Sequence, residues 1–176
     1  MRFLFALPSA AALLLVVSPQ AATAASATPN FDLSWEAQAS GACKSGEFEM
    51  FLEAFMRSRH VQKQHTARVV KVGRFGKTKR IARQNHGPLP IEMSDYHFII
   101  RQDDHAAFAP VSLKVDLRPF GKGGYRLDWI RATYDDSGEG DSLGELVSTE
   151  GAPGYLLFKK SHRCWQLTHD IISEVN

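Results

Sequence analysis

The spacing of apolar residues changes once along this chain of 176 residues, and that change limits the fold more than any other feature. In residues 45–59 the large apolar side chains recur every three or four positions, as on one face of a helix. After Pro88 they alternate, most strictly in residues 111–117, as in strands with one face in water. A helix followed by strands and short turns predicts an α+β fold, with the N-terminal helix packed on an antiparallel sheet of about five to six strands.

The predicted helix presents one apolar face, formed by Phe48, Phe51, Leu52 and Phe55. We expect Ser45 to cap its N-terminus and residues 28–42 to form a mobile lead-in or a short edge strand. We expect the apolar face to be buried against side chains of the sheet, which are Leu113, Val115, Leu127, Trp129 and Trp165.

The N-terminus has the three parts of a secretory signal peptide. Arg2 precedes an apolar stretch over residues 3–17, and small residues follow with two A-x-A sites at 22–24 and 25–27. An uncleaved anchor is the alternative, but the stretch is shorter than the roughly 20 apolar residues that a spanning helix needs. The sequence therefore predicts a signal peptide over residues 1–27, a single α+β domain over 28–176, and a periplasmic or secreted protein without a transmembrane anchor.

The chain has two cysteines, Cys43 and Cys164. Export to an oxidising compartment favours a disulfide between them. Two free buried thiols are the first alternative. A metal site with His162 is the less favoured one, because the residues lack the usual spacing of zinc ligands.

Cations are concentrated in residues 57–83, which hold ten of the 21 Lys and Arg residues, and no acid occurs between Glu53 and Glu92. Such a segment could bind an acidic protein or an anionic surface. The alternative is a solvated edge, balanced by the acidic loop near Asp135. Nucleic acid is not expected as a partner of an exported protein whose basic segment holds only one aromatic residue, Phe75. The candidate binding residues are Arg57, Arg59, Arg68, Lys71, Arg74, Lys77, Lys79 and Arg80.

Catalytic motifs are absent from the sequence. Residues 73–78 have the wrong spacing for a phosphate loop, and a calcium-type loop at 135–146 ends in Leu146 where the bidentate Glu would stand. No cofactor and no metal are predicted. The remaining candidate for acid–base chemistry is His97, paired with Asp95 or Asp116.

Two segments together resemble a known family. Residues 48–58 (FEMFLEAFMRS) are followed by Gln62 or Gln64 and then by Arg68 and Val69. Together with residues 155–167 (YLLFKKSHRCWQL), they are similar to small exported bacterial proteins of uncharacterised function. Those proteins belong to the nuclear-transport-factor-like, or cystatin-like, cone superfamily. The resemblance implies a curved, cone-like sheet. Some enzymes of the superfamily use an Asp or His in the cone as isomerases or dehydratases, and many members only bind, but no catalytic Asp maps onto this sequence.

Two functions follow from these observations. The first is an exported non-enzymatic binding domain, such as a periplasmic immunity or inhibitor protein that binds a protein partner. The alternative is a small cone-fold enzyme with an acid–base pocket. A deep cavity lined by His97, Asp116 or Asp128 would favour the enzyme, whereas a filled core would favour binding. The sequence leaves the oligomeric state open.

Overall fold

The computed structural model describes residues 31–101, 110–140 and 142–173, so the predicted signal peptide lies outside the described residues. Within these ranges, no helix combines the length and apolar character needed to cross a membrane. The helices are α1 (Phe31–Ser45), α2 (Phe48–Arg57) and α3 (Arg59–His65), with a short 3₁₀ turn at Arg83–Asn85. The strands are β1 (Thr66–Arg74), β2 (Lys77–Ala82), β3 (Ile91–Ser94), β4 (His97–Ile100), β5 (Leu113–Phe120), β6 (Gly124–Tyr134), β7 (Leu146–Lys160) and β8 (Trp165–Ile172).

The main sheet has six strands in the order β2-β1-β8-β7-β6-β5. Every neighbouring pair is antiparallel except β1 and β8, which run parallel. The remaining strands, β3 and β4, form a separate hairpin. With three helices packed on this curved sheet, the α+β class and the predicted strand number are confirmed.

The predicted apolar face of α2 lies in the core. Phe51 and Phe55 have no exposed surface, and Phe48 and Leu52 retain 3% and 4%. They share one cluster with the predicted sheet residues, of which only Val115 is partly exposed. Phe48 stacks on the ring of Tyr125 at 4.0 Å. The interior of the curved sheet is therefore filled by aromatic side chains.

The prediction for the lead-in segment was wrong, because residues 31–45 form α1. Its buried face uses small residues, Ala39 and Ala42, which pack in the core although they carry little apolar signal. Gly46 ends the helix with a positive φ of 84°. Ser45 therefore closes α1, and it does not cap α2, whose N-cap position is Glu47 without a side-chain cap.

A helical break separates α2 from α3 at Ser58. This residue is extended (φ −120°, ψ 118°), and its Oγ accepts a hydrogen bond of 3.3 Å from the backbone N–H of Val61. The break therefore divides this helical region into two shorter helices.

The predicted disulfide is confirmed. Cys43 near the end of α1 is bonded to Cys164 just before β8, with the two Cα atoms 4.9 Å apart. The bond ties the first helix to the last strand across 121 residues.

Pro153 and Gly154 lie inside β7, although a Pro-Gly dipeptide is typical of a turn. The reason is the ring of Trp129, which covers Gly154 so closely that a Cβ there would lie 2.2 Å from Cζ2. Glycine therefore serves the packing of two neighbouring strands here, and not a change of chain direction.

Candidate functional site

A cavity of about 240 Å³ lies between the helices and the segment that follows β2. Its apolar wall is formed by Phe55, Leu89 and Leu167, which come from α2, the segment after the 3₁₀ turn and β8. Gln62 and Thr66 supply polar groups. Leu167 reaches the cavity because it pairs with Thr66 across the parallel β1–β8 contact. The cavity thus lies at the edge of the aromatic core, between core residues on one side and polar residues on the other.

His86 lines this cavity, and its imidazole ring contacts a buried carboxylate, that of Asp170. Its Nε2 lies 3.2 Å from Oδ2 of Asp170, and the exposed fractions of the two side chains are 8% and 2%. Arg74 reaches the same carboxylate with Nη1 at 3.3 Å from Oδ1 and Nη2 at 3.4 Å from Oδ2. A buried carboxylate needs such partners. The arrangement fixes the orientation of the imidazole at the cavity wall.

Three cations surround the cavity, namely Arg59, Lys63 and Arg83. Arg59 and Lys63 stand one helical turn apart on α3, and the Nη1 of Arg83 donates a hydrogen bond of 3.3 Å to the carbonyl oxygen of Lys63. In the described part of the chain, no carboxylate lies within ion-pair distance of any of the three. The cavity therefore has a positive rim, for which the described residues provide no counterion.

A shallow groove of about 820 Å³ continues from the cavity along the surface. It shares Lys63, Arg83 and His86 with the cavity and adds Arg68 from β1. The positive rim is therefore extended along this groove by Arg68.

The eight candidate binding residues do not form one site. Arg59 and Arg68 lie at the cavity and the groove, whereas Arg57 is engaged elsewhere: its Nε lies 3.2 Å from Glu53, its guanidinium lies 5.4 Å from the ring centre of Trp35, and it donates to the carbonyl oxygen of Asp95. The remaining members belong to the β1–β2 hairpin, and they are Lys71, Arg74, Lys77, Lys79 and Arg80.

One cross-strand row of the hairpin is basic. Lys71 faces Arg80 on one side and His169 on the other. Burial lowers the pKa of His169, and the nearby charges of Lys159, Lys71 and Arg80 lower it further. Protonation of His169, which would add a positive charge to this row, is therefore disfavoured.

The residues proposed for an acid–base pocket do not meet. Asp128 is paired with Arg118 at 2.8 Å and with Arg126 at 2.6 Å. Asp116 is exposed, and His97 lies on the separate β3–β4 hairpin. None of the three lines the cavity or the groove. Side-chain alternation places Asp116 and Asp128 on the face of the sheet opposite the core, which explains why the expected cavity is not there.

One group of potential metal ligands occurs in the described residues: His65 with Cys43 and Cys164, whose ligand atoms lie within 4.8 Å of one another. Both sulfurs are engaged in the disulfide. The Nδ1 of His65 lies 3.2 Å from the carbonyl oxygen of Trp165, and burial lowers the pKa of His65. The group therefore offers no pair of thiolates in this state.

Sequence reasoning missed His86 and Asp170, and the candidate binding residues left out Lys63 and Arg83, although both belong to the basic segment. A weak signal existed for Asp170, since an acid followed by Ile171 and Ile172 interrupts an apolar strand. His86 had no such signal, because it stands in a polar connection 84 residues from its partner.

Comparison with known proteins gives two solved structures with NTF2-like names. One, whose name begins Rd1NTF2_05, is 10% identical, with 81% of this chain and 97% of that chain covered and a TM-score of 0.30. The other is described as a candidate dehydratase of the NTF2-like family from Streptomyces avermitilis. It is 15% identical, with 84% and 99% covered and a TM-score of 0.29. No family model and no curated protein matches the chain. At these TM-scores the likeness carries no argument, and the α+β fold rests on the elements described above.

Proposed function

We propose that this protein is an exported, non-enzymatic binding domain that holds an acidic protein partner at the cavity and its groove. The observation that carries the proposal is the positive rim of Arg59, Lys63 and Arg83, which has no carboxylate partner in the described ranges. Unpaired cations around a concave surface attract negative charge and speed the encounter with an acidic partner.

The chemistry of the cavity narrows the kind of partner. Its volume of about 240 Å³ is below the roughly 300–1,000 Å³ of sites that enclose a drug-sized ligand. Its apolar wall and positive rim suit a single side chain or a chain terminus that combines carbon atoms with a carboxylate. The groove past Arg68 would take the residues on either side.

Two features support the exported setting. Residues 1–27 have the pattern of a signal peptide, and the Cys43–Cys164 disulfide is compatible with an oxidising compartment. The filled aromatic interior favours binding over catalysis in the cone. An immunity or inhibitor protein that blocks an acidic toxin or hydrolase is a role of this kind.

The test begins with capture of partners from periplasmic extract and continues with the purified partner. The double variant Arg59→Glu/Lys63→Glu is compared with wild type and with Lys122→Glu, an exposed residue in the β5–β6 turn. We expect association to slow more than tenfold in the double variant, to weaken with salt in wild type, and to be unchanged in Lys122→Glu. Equal association rates for all three proteins would refute the proposed surface.

A second function is favoured by the contact between His86 and Asp170. If Nε2–H donates to the carboxylate, Nδ1 keeps a lone pair and can accept a proton from a bound acid. Many isomerases and dehydratases of carbonyl compounds begin by removing a proton from the carbon next to the carbonyl group. Deuterium exchange into small hydroxy and keto acids, followed by NMR, tests this function. Deuterium exchange in wild type that is lost in His86→Gln would support the enzymatic function. Exchange no faster than in buffer alone would favour the non-enzymatic binding function.

A further inference from the structure

Beyond the end of β8, strands β6 and β7 continue as a ribbon. It becomes two-stranded past residue 132, since Arg131 still pairs with Leu113 of β5 and the N–H of Ala132 donates to the carbonyl oxygen of Ser112. Residues 131–134 pair with residues 146–150, whereas β8 ends at Ile172, opposite Gly154. Over residues 146–152, therefore, the edge of β7 that faces the β8 side has no strand beside it in the described part of the chain. A two-stranded ribbon is only marginally stable in water, so this free edge is typical of a surface that acquires a partner.

The ribbon is acidic and carries exposed apolar side chains. Leu146 and Val147 expose 42% and 63% of their surface. The exposed acids of the ribbon and its loop are Asp135, Asp136, Glu139, Glu145 and Glu150. No cation of the described ranges lies within ion-pair distance of these side chains. Arg131 stands opposite Glu150 across the β6–β7 pair, so among the described residues most, but not all, of this negative charge is uncompensated.

The β1–β2 hairpin has the opposite charge and a free edge of its own. Like charges face each other across it, Lys71 opposite Arg80 and Arg74 opposite Lys77, and such pairs destabilise a hairpin. The outer edge of β2 carries no neighbouring strand among the described residues. Lys77, Lys79 and Arg80 have no carboxylate within ion-pair distance there. Apart from Arg74, which contacts Asp170, the cations of the hairpin therefore lack a negative neighbour among the described residues.

Strand directions place both free edges at the same end of the sheet. Because β1 runs parallel to β8, the hairpin turn lies beside the end of β8, where the N–H of Phe75 donates to the carbonyl oxygen of Ile172 at 3.0 Å. Both free edges also face the β2 side of the sheet. If a second copy is generated by a two-fold axis that is perpendicular to the sheet at this end, β2 of each copy lies beside the free edge of β7 in the other copy. The two strands are then antiparallel.

We propose that two copies of this chain associate through these edges, with the basic β2 of each copy beside the acidic ribbon of the other. The lengths match, since β2 has six residues and the free edge of the ribbon spans residues 146–152. Each copy supplies both members of the contact, so the arrangement closes as a dimer. A foreign acidic protein would satisfy the hairpin but would leave the acidic ribbon exposed, and for this reason the second copy is the occupant.

This association and the proposed function use opposite ends of the β1–β2 hairpin, and the two surfaces meet only at Ala82, which ends β2 and lines the groove. The cavity lies at the Thr66 end of β1, and the hairpin turn lies eight residues further on, about 25 Å away at the usual rise of a strand. Variants at one place therefore leave the other intact.

Charge exchange between the two edges tests the proposal. The hairpin variant is Lys77→Glu/Lys79→Glu, and the ribbon variant is Glu145→Lys/Glu150→Lys. Light scattering after size-exclusion chromatography measures the mass over a concentration series. We expect wild type to be a dimer, and each variant alone to have a dissociation constant raised more than about a hundredfold. An equimolar mixture of the two variants should recover the dimer. The acidic β2 of the hairpin variant then lies beside the basic ribbon of the ribbon variant, and the unchanged β2 and ribbon form the second contact.

The control is Lys122→Glu, which lies at the other end of the sheet and should dimerise like wild type. Thermal melting of every variant confirms that it is folded. A wild-type protein that stays monomeric up to about 100 μM, a dimer that persists in both variants, or a mixture that stays monomeric would each overturn the proposal.

Discussion

Replacing Phe51 by alanine tests the packing that gives this fold its filled interior. Phe51 has no exposed surface. Its ring contacts five others with centres 5.1–6.2 Å apart, in Phe48, Phe55, His65, Phe158 and Trp165. Removing a fully buried Phe ring typically costs about 3–5 kcal/mol of the free energy of unfolding. We expect the upper part of this range, because neighbours on several sides cannot all collapse into the space.

Urea and thermal unfolding measure the effect. At about 2–4 °C per kcal/mol for a chain of this size, the melting temperature should fall by about 10–15 °C. Met50→Ala is the matched control, since the neighbouring side chain on the same helix is 46% exposed and its loss should change stability by about 0.5 kcal/mol or less. A loss below about 1 kcal/mol for Phe51→Ala, or one no larger than that of Met50→Ala, would refute the packing described here.

Three further predictions concern the disulfide, one turn and the histidines. Alkylation without reductant should label no thiol, and reduction should lower stability in urea by up to about 5 kcal/mol, because the bond closes 121 residues. Phe75→Asn should raise the melting temperature by about 2–4 °C, because Phe75 has a φ of 49°, which asparagine tolerates better. Burial lowers the pKa of both His65 and His169, so the unfolded chain binds protons more readily. Stability should therefore fall as the pH drops below about 6.5, and His65→Gln should flatten that fall.

The sequence predicted elements whose signal is local. The face of α2 was visible because Phe48, Phe51 and Phe55 recur with the period of a helix, and β5 was visible because its apolar residues alternate. Helix α1 escaped prediction because its buried residues are alanines, which carry little hydrophobic signal. The disulfide could be predicted because only two cysteines exist to be joined.

The cavity could not be predicted, because it depends on a register shift. Strict alternation from Trp165 and Leu167 would point residue 169 into the interior. An extra residue between the pairs Phe158–Leu167 and Leu157–His169 reverses the alternation, so that Asp170 points inward, beneath His86. Such a bulge leaves no mark in composition or periodicity.

The like-charged rows of the hairpin have a consequence for stability in salt. Arg80→Glu would place an acid opposite Lys71 and convert a repulsive cross-strand pair into an attractive one. Each such pair changes stability by about 0.2–1 kcal/mol in either direction, so the variant should melt about 2–4 °C higher than wild type at low salt. Salt screens both the repulsion between Lys71 and Arg80 in the parent and the attraction between Lys71 and the introduced Glu in the variant. The difference between the two melting temperatures should therefore shrink towards zero at about 0.5 M salt, where the screening length is only a few ångströms. The comparison is made in the Glu145→Lys/Glu150→Lys background, which removes association from the measurement. A lower melting temperature of Arg80→Glu than of its parent at low salt would show that the hairpin cations are already balanced by negative charge within one copy. The proposed association with a second copy would then lose its electrostatic reason.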